Sequence, residues 1–287
     1  MIKKLLKLLL ALLVLVVIAF TVGIAAAGCG GTSDQKAEVP TIVAGFYPLA
    51  WVAEQVARPG TKVVNLTPAG AEPHDLELSP GDAQTVSDAD LVVYVGGGFQ
   101  PALEDAVAQR DGPSLDVLRP GESDPHIWLD PVRFSQVVHD VGLALGRPAA
   151  ARRLEQTLAD IGTLYRRTLR RCFSTTFVTT HAAFGYLAKR YGLTQLSLAG
   201  RTPEAEPGPK EIERLVGEVR ASGAPVVLAE PLVSTHLAAT VAREADVDMS
   251  YLDPLEGLRS ERLDAGDDYA SVMRDNLTVL KKALGCR

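Results

Sequence analysis

Short apolar runs alternate with helix-forming stretches along most of the chain, and this alternation strongly limits the possible folds. Strand-like runs occupy 42–44, 62–66 and 91–95, and each precedes a stretch of helical character that opens near a proline. The same order returns later, with strand-like runs at 176–180 and 225–229. Because strand–helix–strand units form parallel pairs, we predict an α/β protein with mainly parallel sheets and helices on both faces.

A long helical stretch separates the two blocks of alternating elements. Its apolar side chains recur at the spacing of one helix face: Leu154, Leu158, Ile161, Leu164, Tyr165 and Leu169. Such a stripe predicts a helix that packs along one face and leaves its arginines in water. We therefore predict an N-terminal lobe at 40–147, a connecting helix at 148–171 and a C-terminal lobe at 172–287.

The first residues have the features of an export signal. Three lysines precede an apolar run from Leu8 to Ala27, and Gly28-Cys29 follows. This pattern predicts a lipoprotein signal peptide at 1–28, a lipidated Cys29 and a flexible tether at 29–39. The alternative is an uncleaved membrane-spanning helix, because the apolar run exceeds the ~7–15 residues of an ordinary signal. Both place the folded part outside the cytoplasm, anchored to the cell membrane at the surface or in the periplasm.

The charge balance excludes some partners. The chain has 29 basic and 35 acidic residues; without Lys3, Lys4 and Lys7 of the signal, 26 basic residues remain and the net charge is −9. An acidic chain without a basic cluster argues against nucleic acid and against a second electrostatic contact with a membrane. We expect a monomer.

Two cysteines remain beside Cys29, namely Cys172 and Cys286. An even number of cysteines in an exported chain favours a disulfide, here between the start of the second block and the end of the last helix. Free thiols are the alternative. Neither cysteine has a neighbouring Cys or His, so both are poor metal ligands.

Three of the five histidines lie in loops or at strand ends. His74 follows the second strand, His126 lies in Asp-Pro-His-Ile-Trp-Leu-Asp-Pro, and His181 ends a strand. In open parallel sheets, ligands bind outside the carboxyl ends of the strands. We therefore expect these three side chains to meet. His139 and His236 fall in helices and are predicted to lie at the surface.

A carboxylate stands in an equivalent place, because Asp253 follows the last predicted strand. Neutral imidazole suits zinc, and one carboxylate completes a tetrahedron and leaves a charge of about +1 on the site. We predict that Asp75, Asp124 and Asp130 orient the imidazoles. Glu72 remains open as a ligand in place of Asp253 or in addition to it. The predicted metal ligands are His74, His126, His181 and Asp253.

Four segments resemble the zinc/manganese solute-binding proteins of ABC importers, the ZnuA/TroA-like cluster A-I family. The lipoprotein start agrees, so that the resemblance covers essentially the whole chain. The segments are Gly-Ala-Glu-Pro-His-Asp at 70–75, Asp-Pro-His-Ile-Trp-Leu-Asp-Pro at 124–131, Thr-His-Ala-Ala-Phe-Gly-Tyr-Leu at 180–187 and Pro-Glu-Ala-Glu-Pro at 203–207.

This resemblance implies two lobes joined by one long helix, with the metal buried between them. His74 and His126 would come from the N-terminal lobe, and His181 and Asp253 from the C-terminal lobe. The protein would capture Zn²⁺ outside the cytoplasm and deliver it to a membrane permease, without catalysis. Zinc is favoured over Mn²⁺, the alternative, because manganese members offer a carboxylate where this chain has His181, and manganese prefers oxygen.

The chain departs from the family pattern in two places. It has Glu230-Pro231-Leu232 where the family has Glu-Pro-Gln, and the short region between Asp111 and Asp124 lacks a histidine-rich insert.

Two other functions compete with metal transport. A zinc hydrolase would keep one metal position open for water, with Glu72 or Glu230 as base. A surface adhesin is the third possibility.

Overall fold

The structure is a computed structural model that describes residues 39–201 and 207–287. The predicted signal peptide, Cys29, the tether up to residue 38 and most of the 203–207 motif lie outside the described residues. Residues 40–287 belong to one compact unit. Within the described ranges, no helix is both long and apolar enough to cross a membrane.

Within residues 39–201 and 207–287, eight short strands form two four-stranded sheets, and every neighbouring pair is parallel. The first sheet has the order β2-β1-β3-β4 and the second the order β6-β5-β7-β8. The strands are β1 (Thr41–Ala44), β2 (Lys62–Asn65), β3 (Leu91–Tyr94), β4 (Ser114–Asp116), β5 (Thr176–Thr179), β6 (Thr194–Ser197), β7 (Val226–Ala229) and β8 (Asp248–Tyr251).

Helices connect the strands and follow them, and many of these helices begin at a proline. The fixed φ of proline suits the first turn of a helix. Its missing N–H costs nothing there, because a backbone N–H in the first turn has no partner within the helix. Single turns of 3₁₀ helix at Pro73–Asp75 and Ile127–Leu129 lie in the loops of the first sheet. The α-helices are α1 (Tyr47–Val56), α2 (Pro80–Asp88), α3 (Pro101–Ala108), α4 (Pro131–Ala144), α5 (Pro148–Leu169), α6 (Gly185–Tyr191), α7 (Pro209–Ser222), α8 (His236–Ala245), α9 (Ser260–Asp264) and α10 (Tyr269–Ala283).

The predicted fold class is confirmed: two lobes, each with a parallel sheet and flanking helices, are joined by the long helix α5. The strands before α5 make the first sheet and the strands after it make the second. The exact lobe boundaries at 147 and 172 remain a prediction. One apolar side chain of the predicted stripe lies elsewhere, since Leu164 is 43% exposed while Tyr165 beside it is buried. The buried stripe runs through Ile161, Tyr165 and Leu169, one position away from Leu164.

The end of α5 is held against the end of the chain. The sulfur atoms of Cys172 and Cys286 lie 1.98 Å apart, which fits the predicted disulfide. Beside them, the backbone N–H of Arg287 donates to the carbonyl of Arg171 (3.1 Å), and that of Ser174 donates to Leu284 (3.1 Å). These contacts join α5 and β5 to the last turn of α10.

A buried arginine fixes the segment that leads from β4 towards His126. Arg133 of α4 is 5% exposed, and its Nε donates to Glu122 Oε1 (2.9 Å) while Nη2 donates to Glu122 Oε2 (2.7 Å). The same Nη2 donates to the carbonyl of Val117 (2.8 Å). A buried guanidinium is tolerated only when it is paired and hydrogen-bonded, so Glu122 is the residue that makes this burial possible.

We expect Glu122→Gln to lower the free energy of unfolding by about 2 kcal/mol at pH 7, since two charge-assisted hydrogen bonds weaken. The hydrogen bond from Arg133 holds the pKa of Glu122 below its ordinary value. The carboxylate therefore stabilises the fold above the ordinary glutamate pKa of about 4.3, and this contribution is lost as the pH falls through the lowered pKa. Urea unfolding of the metal-free soluble chain at pH 7 and at acidic pH measures the difference.

The matched control is Glu213→Gln, at an exposed position of α7. The control should match the wild type at both pH values. A deficit for Glu122→Gln that stays constant into the acid range would contradict the assigned role.

Candidate metal centre

The three predicted histidines converge from separate loops at the carboxyl ends of strands. His74 lies in the 3₁₀ turn after β2, His126 caps the 3₁₀ turn after β4, and His181 lies two residues after the end of β5. A nitrogen of each ring and one carboxylate oxygen of Glu256 all lie within 4.8 Å of one another. The histidines of the prediction are thus brought together, and a glutamate joins them.

Glu256 is the centre of this cluster. Its Oε1 lies 3.7 Å from His74 Nε2, 3.3 Å from His126 Nε2 and 3.2 Å from His181 Nε2. Glu256 is 1% exposed, and His126 and His181 are fully buried. Nitrogens from three loops therefore lie around one buried carboxylate oxygen.

Several polar atoms of the cluster have no hydrogen-bond partner within the described ranges. They are His74 Nε2, His126 Nε2 and Glu256 Oε2, and each is buried. Buried polar atoms are nearly always satisfied, because burial without a partner costs free energy. Buried imidazole nitrogens and carboxylate oxygens that lie close together without hydrogen-bond partners are typical of a site that binds a cation.

Carboxylates hold the opposite side of two of the rings. Asp124 Oδ1 lies 2.7 Å from His126 Nδ1, as predicted for Asp124, and Glu230 Oε2 lies 2.6 Å from His181 Nδ1. Glu230 also accepts from the backbone N–H of His181 (3.0 Å). A carboxylate on Nδ1 fixes the proton there and leaves the Nε2 lone pair for a metal.

The electrostatics of the cluster favour positive charge. Burial opposes protonation of His181, but the hydrogen bonds to Glu230 and Glu256 outweigh it and raise the pKa to about 10. For His126, burial is likewise outweighed by Asp124 and Glu256, and the pKa is raised. Burial would raise the pKa of Glu256, yet the three histidine rings around its carboxylate hold that pKa well below its ordinary value. A divalent cation supplies the positive charge that protons otherwise supply.

Comparison with known proteins identifies the family. The family model described as "Zinc-uptake complex component A periplasmic" matches residues 42–283. The chain belongs to this zinc-uptake family. It is 30% identical over 297 residues to the high-affinity zinc uptake system protein ZnuA of Bacillus subtilis, covering 90% of this chain and 93% of that protein.

Solved structures agree with this family. The laminin-binding protein Lmb of Streptococcus agalactiae, described as bifunctional with adhesin and metal transporting activity, superposes with a TM-score of 0.78 at 28% identity, covering 85% of this chain and 99% of Lmb. Zn(II)-bound AdcA from Streptococcus pneumoniae gives 0.74 at 33% identity, covering 86% of this chain and 58% of AdcA. This chain spans about half (55%) of the curated AdcA relatives.

Asp253, predicted as a ligand, is not among the converging atoms in this member of the zinc-uptake family, where the carboxylate of the cluster is Glu256. The Oδ1 of Asp253 accepts from the backbone N–H of Leu255 (2.8 Å), and its Oδ2 lies 3.9 Å from Arg262 Nη1. Burial raises the pKa of Asp253 to about 6, against the opposing effects of the Leu255 bond and Arg262. Leu255, which lies between Asp253 and Glu256, has a φ of +57°, in the left-handed region.

Glu256 was not predicted as a ligand, because Asp253 is the first carboxylate after the last strand. A signal was present, since Glu256 lies in Asp-Pro-Leu-Glu-Gly-Leu, where an acidic residue among apolar neighbours and turn formers predicts a buried, partnered carboxylate. Glu230, named above only as a possible base of a hydrolase, bonds the backbone N–H and the ring of His181. Asp130, predicted to orient an imidazole, instead caps α4 and pairs with Arg190 (2.7 Å).

Glu72 lies beside the cluster but is not among its converging atoms. Its Oε1 accepts from the backbone N–H of His74 (3.4 Å), and its Oε2 is buried without a partner among the described residues. Burial and the nearby Glu256 raise the pKa of Glu72 to about 8. His139 pairs with Glu155 at the surface (3.2 Å) and His236 is exposed, both as predicted for residues outside the site.

We expect Glu230→Gln to weaken zinc binding roughly 10- to 100-fold. An amide at this position would present an N–H to the Nδ1 of His181, which favours the tautomer with its proton on Nε2 and blocks that nitrogen as a ligand. Competition titration with a chromophoric zinc chelator measures the change.

Glu155→Gln is the matched control, because Glu155 also faces a histidine ring but lies at the surface. The control should bind zinc like the wild type. Equal affinity of Glu230→Gln and the wild type would show that His181 does not need this carboxylate.

Proposed function

We propose that the protein is the extracytoplasmic solute-binding component of an ABC importer that captures Zn²⁺ and delivers it to a membrane permease. The observation that carries the proposal is the buried convergence of three imidazole nitrogens and one carboxylate within 4.8 Å. Membership of the zinc-uptake family and the names of its relatives support it. Zinc is the cargo, and the protein itself needs no catalytic group.

The proposed ligands are His74, His126, His181 and Glu256. Three neutral imidazoles with one carboxylate match the preference of zinc for nitrogen-rich tetrahedral sites, and they leave a charge of about +1 on the bound complex. Manganese, the alternative, prefers more oxygen ligands than this set offers. The Zn(II)-bound AdcA structure is that of a relative, and it supports the same metal here.

The two lobes contribute equally to this set. His74 and His126 belong to the proposed N-terminal lobe at 40–147, whereas His181 and Glu256 belong to the C-terminal lobe at 172–287. An ion bound by all four side chains would join the lobes across the cleft. Release to the permease then requires the lobes, or the loops that carry the ligands, to separate.

The remaining features of the proposal concern location and partners. We propose that the chain is a monomer, anchored through a lipidated Cys29 outside the cytoplasm, with a disulfide between Cys172 and Cys286. A hydrolase is disfavoured because Glu256 closes the fourth metal position, which catalytic zinc sites leave to water. Adhesin activity is described for Lmb, a structural neighbour, and within the described residues of this chain we assign no surface to it.

We expect the soluble chain, residues 30–287, to bind one equivalent of zinc. His181→Ala should weaken binding by at least about 100-fold, because loss of a ligand exceeds the effect of losing its orienting partner. Affinity should also fall as the pH drops, since protons compete for the imidazoles. Elemental analysis of the purified protein, with parallel zinc and manganese titrations, provides the measurement.

His139→Ala, at an exposed histidine of α4, is the control and should retain wild-type affinity. A wild-type protein that held manganese and ignored zinc would overturn the metal assignment, and one that held neither would overturn the function.

A second test separates the two acidic candidates. Glu256→Gln should lose most of the zinc affinity, because a neutral amide neither neutralises the cation nor replaces an anionic ligand. Asp253→Asn should keep it, because the amide oxygen still accepts from Leu255. Zinc competition titrations of both variants at one pH measure this contrast, and the reverse order would return Asp253 to the ligand set.

A further inference from the structure

We propose that Asp253 and Asn276 are positioning residues, which hold the loop of Glu256 so that its carboxylate faces the three histidines. The proposal rests on the proposed zinc-binding function and assigns work to two buried polar side chains outside the ligand set. Asn276 is 2% exposed and Asp253 is 8% exposed.

Asn276 holds the start of this loop with both ends of its amide. Its Oδ1 accepts from the backbone N–H of Asp253 (2.9 Å), and its Nδ2 donates to the carbonyl of the same residue (2.6 Å). Asn276 lies in α10 next to the buried Leu277, where an amide is costly unless it is fully hydrogen-bonded. Both bonds go to one residue of the loop, so α10 fixes the point at which the chain leaves β8.

Asp253 then fixes the turn that follows. Its Oδ1 accepts from the backbone N–H of Leu255 (2.8 Å), and Leu255 has a φ of +57°. This left-handed conformation is unfavourable for a branched side chain, and surrounding bonds must maintain it. This turn places the Glu256 side chain, rather than that of Asp253, next to the three histidines.

The same loop is held from the facing lobe. The indole N–H of Trp128 donates to the carbonyl of Pro254 (2.7 Å), and the N–H of Gly70 donates to the carbonyl of Leu258 (3.0 Å). A Cβ at Gly257 would lie only 3.2 Å from the carbonyl oxygen of Ala71, so the two backbones approach closely there. Each of these facing residues lies within four positions of His74 or His126.

The loop is therefore bonded on both sides of Glu256, and the Glu256 side chain is left for the histidines. Pre-organised ligands bind more tightly, because the ordering cost is met during folding rather than on binding. Without the Asp253 and Asn276 bonds, Leu255 is free to leave the left-handed conformation, and Glu256 is no longer held over the site.

The test uses the soluble chain and four variants, Asp253→Ala, Asp253→Asn, Asn276→Ala and Asn276→Asp. Two readouts are measured for each: the zinc dissociation constant and the visible absorption spectrum of the Co²⁺-substituted protein, which reports ligand number and geometry. The two alanine variants should bind zinc about tenfold more weakly or worse, and their Co²⁺ spectra should move towards that of Glu256→Gln. Asp253→Asn should retain the wild-type spectrum, because it keeps the acceptor for Leu255.

Val219→Ala is the control for lost stability alone. Val219 is fully buried in α7, in a separate core of the second lobe, so this variant should be less stable and yet keep the wild-type Co²⁺ spectrum. Asn276→Asp keeps the acceptor for the Asp253 N–H but turns the donor into an oxygen that faces the Asp253 carbonyl. Because a buried carboxylate and a carbonyl oxygen repel each other, its spectral shift should be at least as large as that of Asn276→Ala. If the Asn276 variants fail to fold, Asp253→Ala still tests the role, because both bonds from Asn276 go to the backbone of residue 253 and remain possible.

Wild-type affinity and spectrum in both Asp253→Ala and Asn276→Ala would overturn the positioning role, as would an Asp253→Asn variant that resembles Asp253→Ala. In these cases the proposed function would stand, provided that the wild type binds zinc and Glu256→Gln does not. A wild type without zinc affinity would instead remove the proposed function.

Discussion

The buried carboxylate of Glu256 is the constraint on which the rest of the site depends. Removing an ionised carboxylate from water costs on the order of several kcal/mol unless positive charge and hydrogen bonds compensate. Here the compensation comes from three imidazoles on three different loops. Each of those imidazoles requires support of its own, and for His126 and His181 that support is a further carboxylate on Nδ1. The cluster therefore alternates acid, histidine and acid, and the charge is balanced only when a cation or protons are present.

The parallel architecture explains how residues so distant in sequence come together. The carboxyl ends of parallel strands lie on one edge of each sheet, and each loop that leaves this edge starts in the same region. Glu256 follows β8 and His181 follows β5, while His74 and His126 follow β2 and β4. The long helix α5 packs through Tyr165, whose hydroxyl donates to the carbonyl of Met273 in α10 (2.6 Å), and this contact ties the connector to the helix that carries Asn276.

Much of the fold follows from local patterns, and the exceptions have physical reasons. Apolar runs such as 91–94 and prolines at helix starts were sufficient to predict the alternation and the two sheets. Strand β4 has the sequence Ser-Leu-Asp and lies at a sheet edge, so it lacks the apolar run that identifies a buried strand. The five-residue helix α9 has no buried residue, and for that reason no apolar stripe predicts it. Leu164 was assigned to the buried face although it lies one position away from it.

The histidines of the site, which follow strand ends, could be predicted from the sequence. The carboxylate could not, because its position depends on a turn that tertiary contacts maintain. Three histidines could be placed because each follows a recognisable strand or a proline-flanked loop. The choice between Asp253 and Glu256 depends on the left-handed conformation of Leu255, a state that sequence assigns to glycine far more readily than to leucine. The pairing of His181 with Glu230 joins β5 to β7 and has no local pattern at all.

One hydrogen bond between the two lobes lies close to the proposed metal ligands. Trp128 and Pro254 are each two residues from a proposed ligand, His126 and Glu256, and they share one hydrogen bond. A neutral hydrogen bond contributes only about 1 kcal/mol net, whereas a structural zinc site contributes on the order of 10 kcal/mol. This hydrogen bond therefore adds little to what a bound ion contributes to holding His126 and Glu256 together. Departure of the ion removes the stronger of these two interactions between the ligand loops, which suits a carrier that must release its cargo.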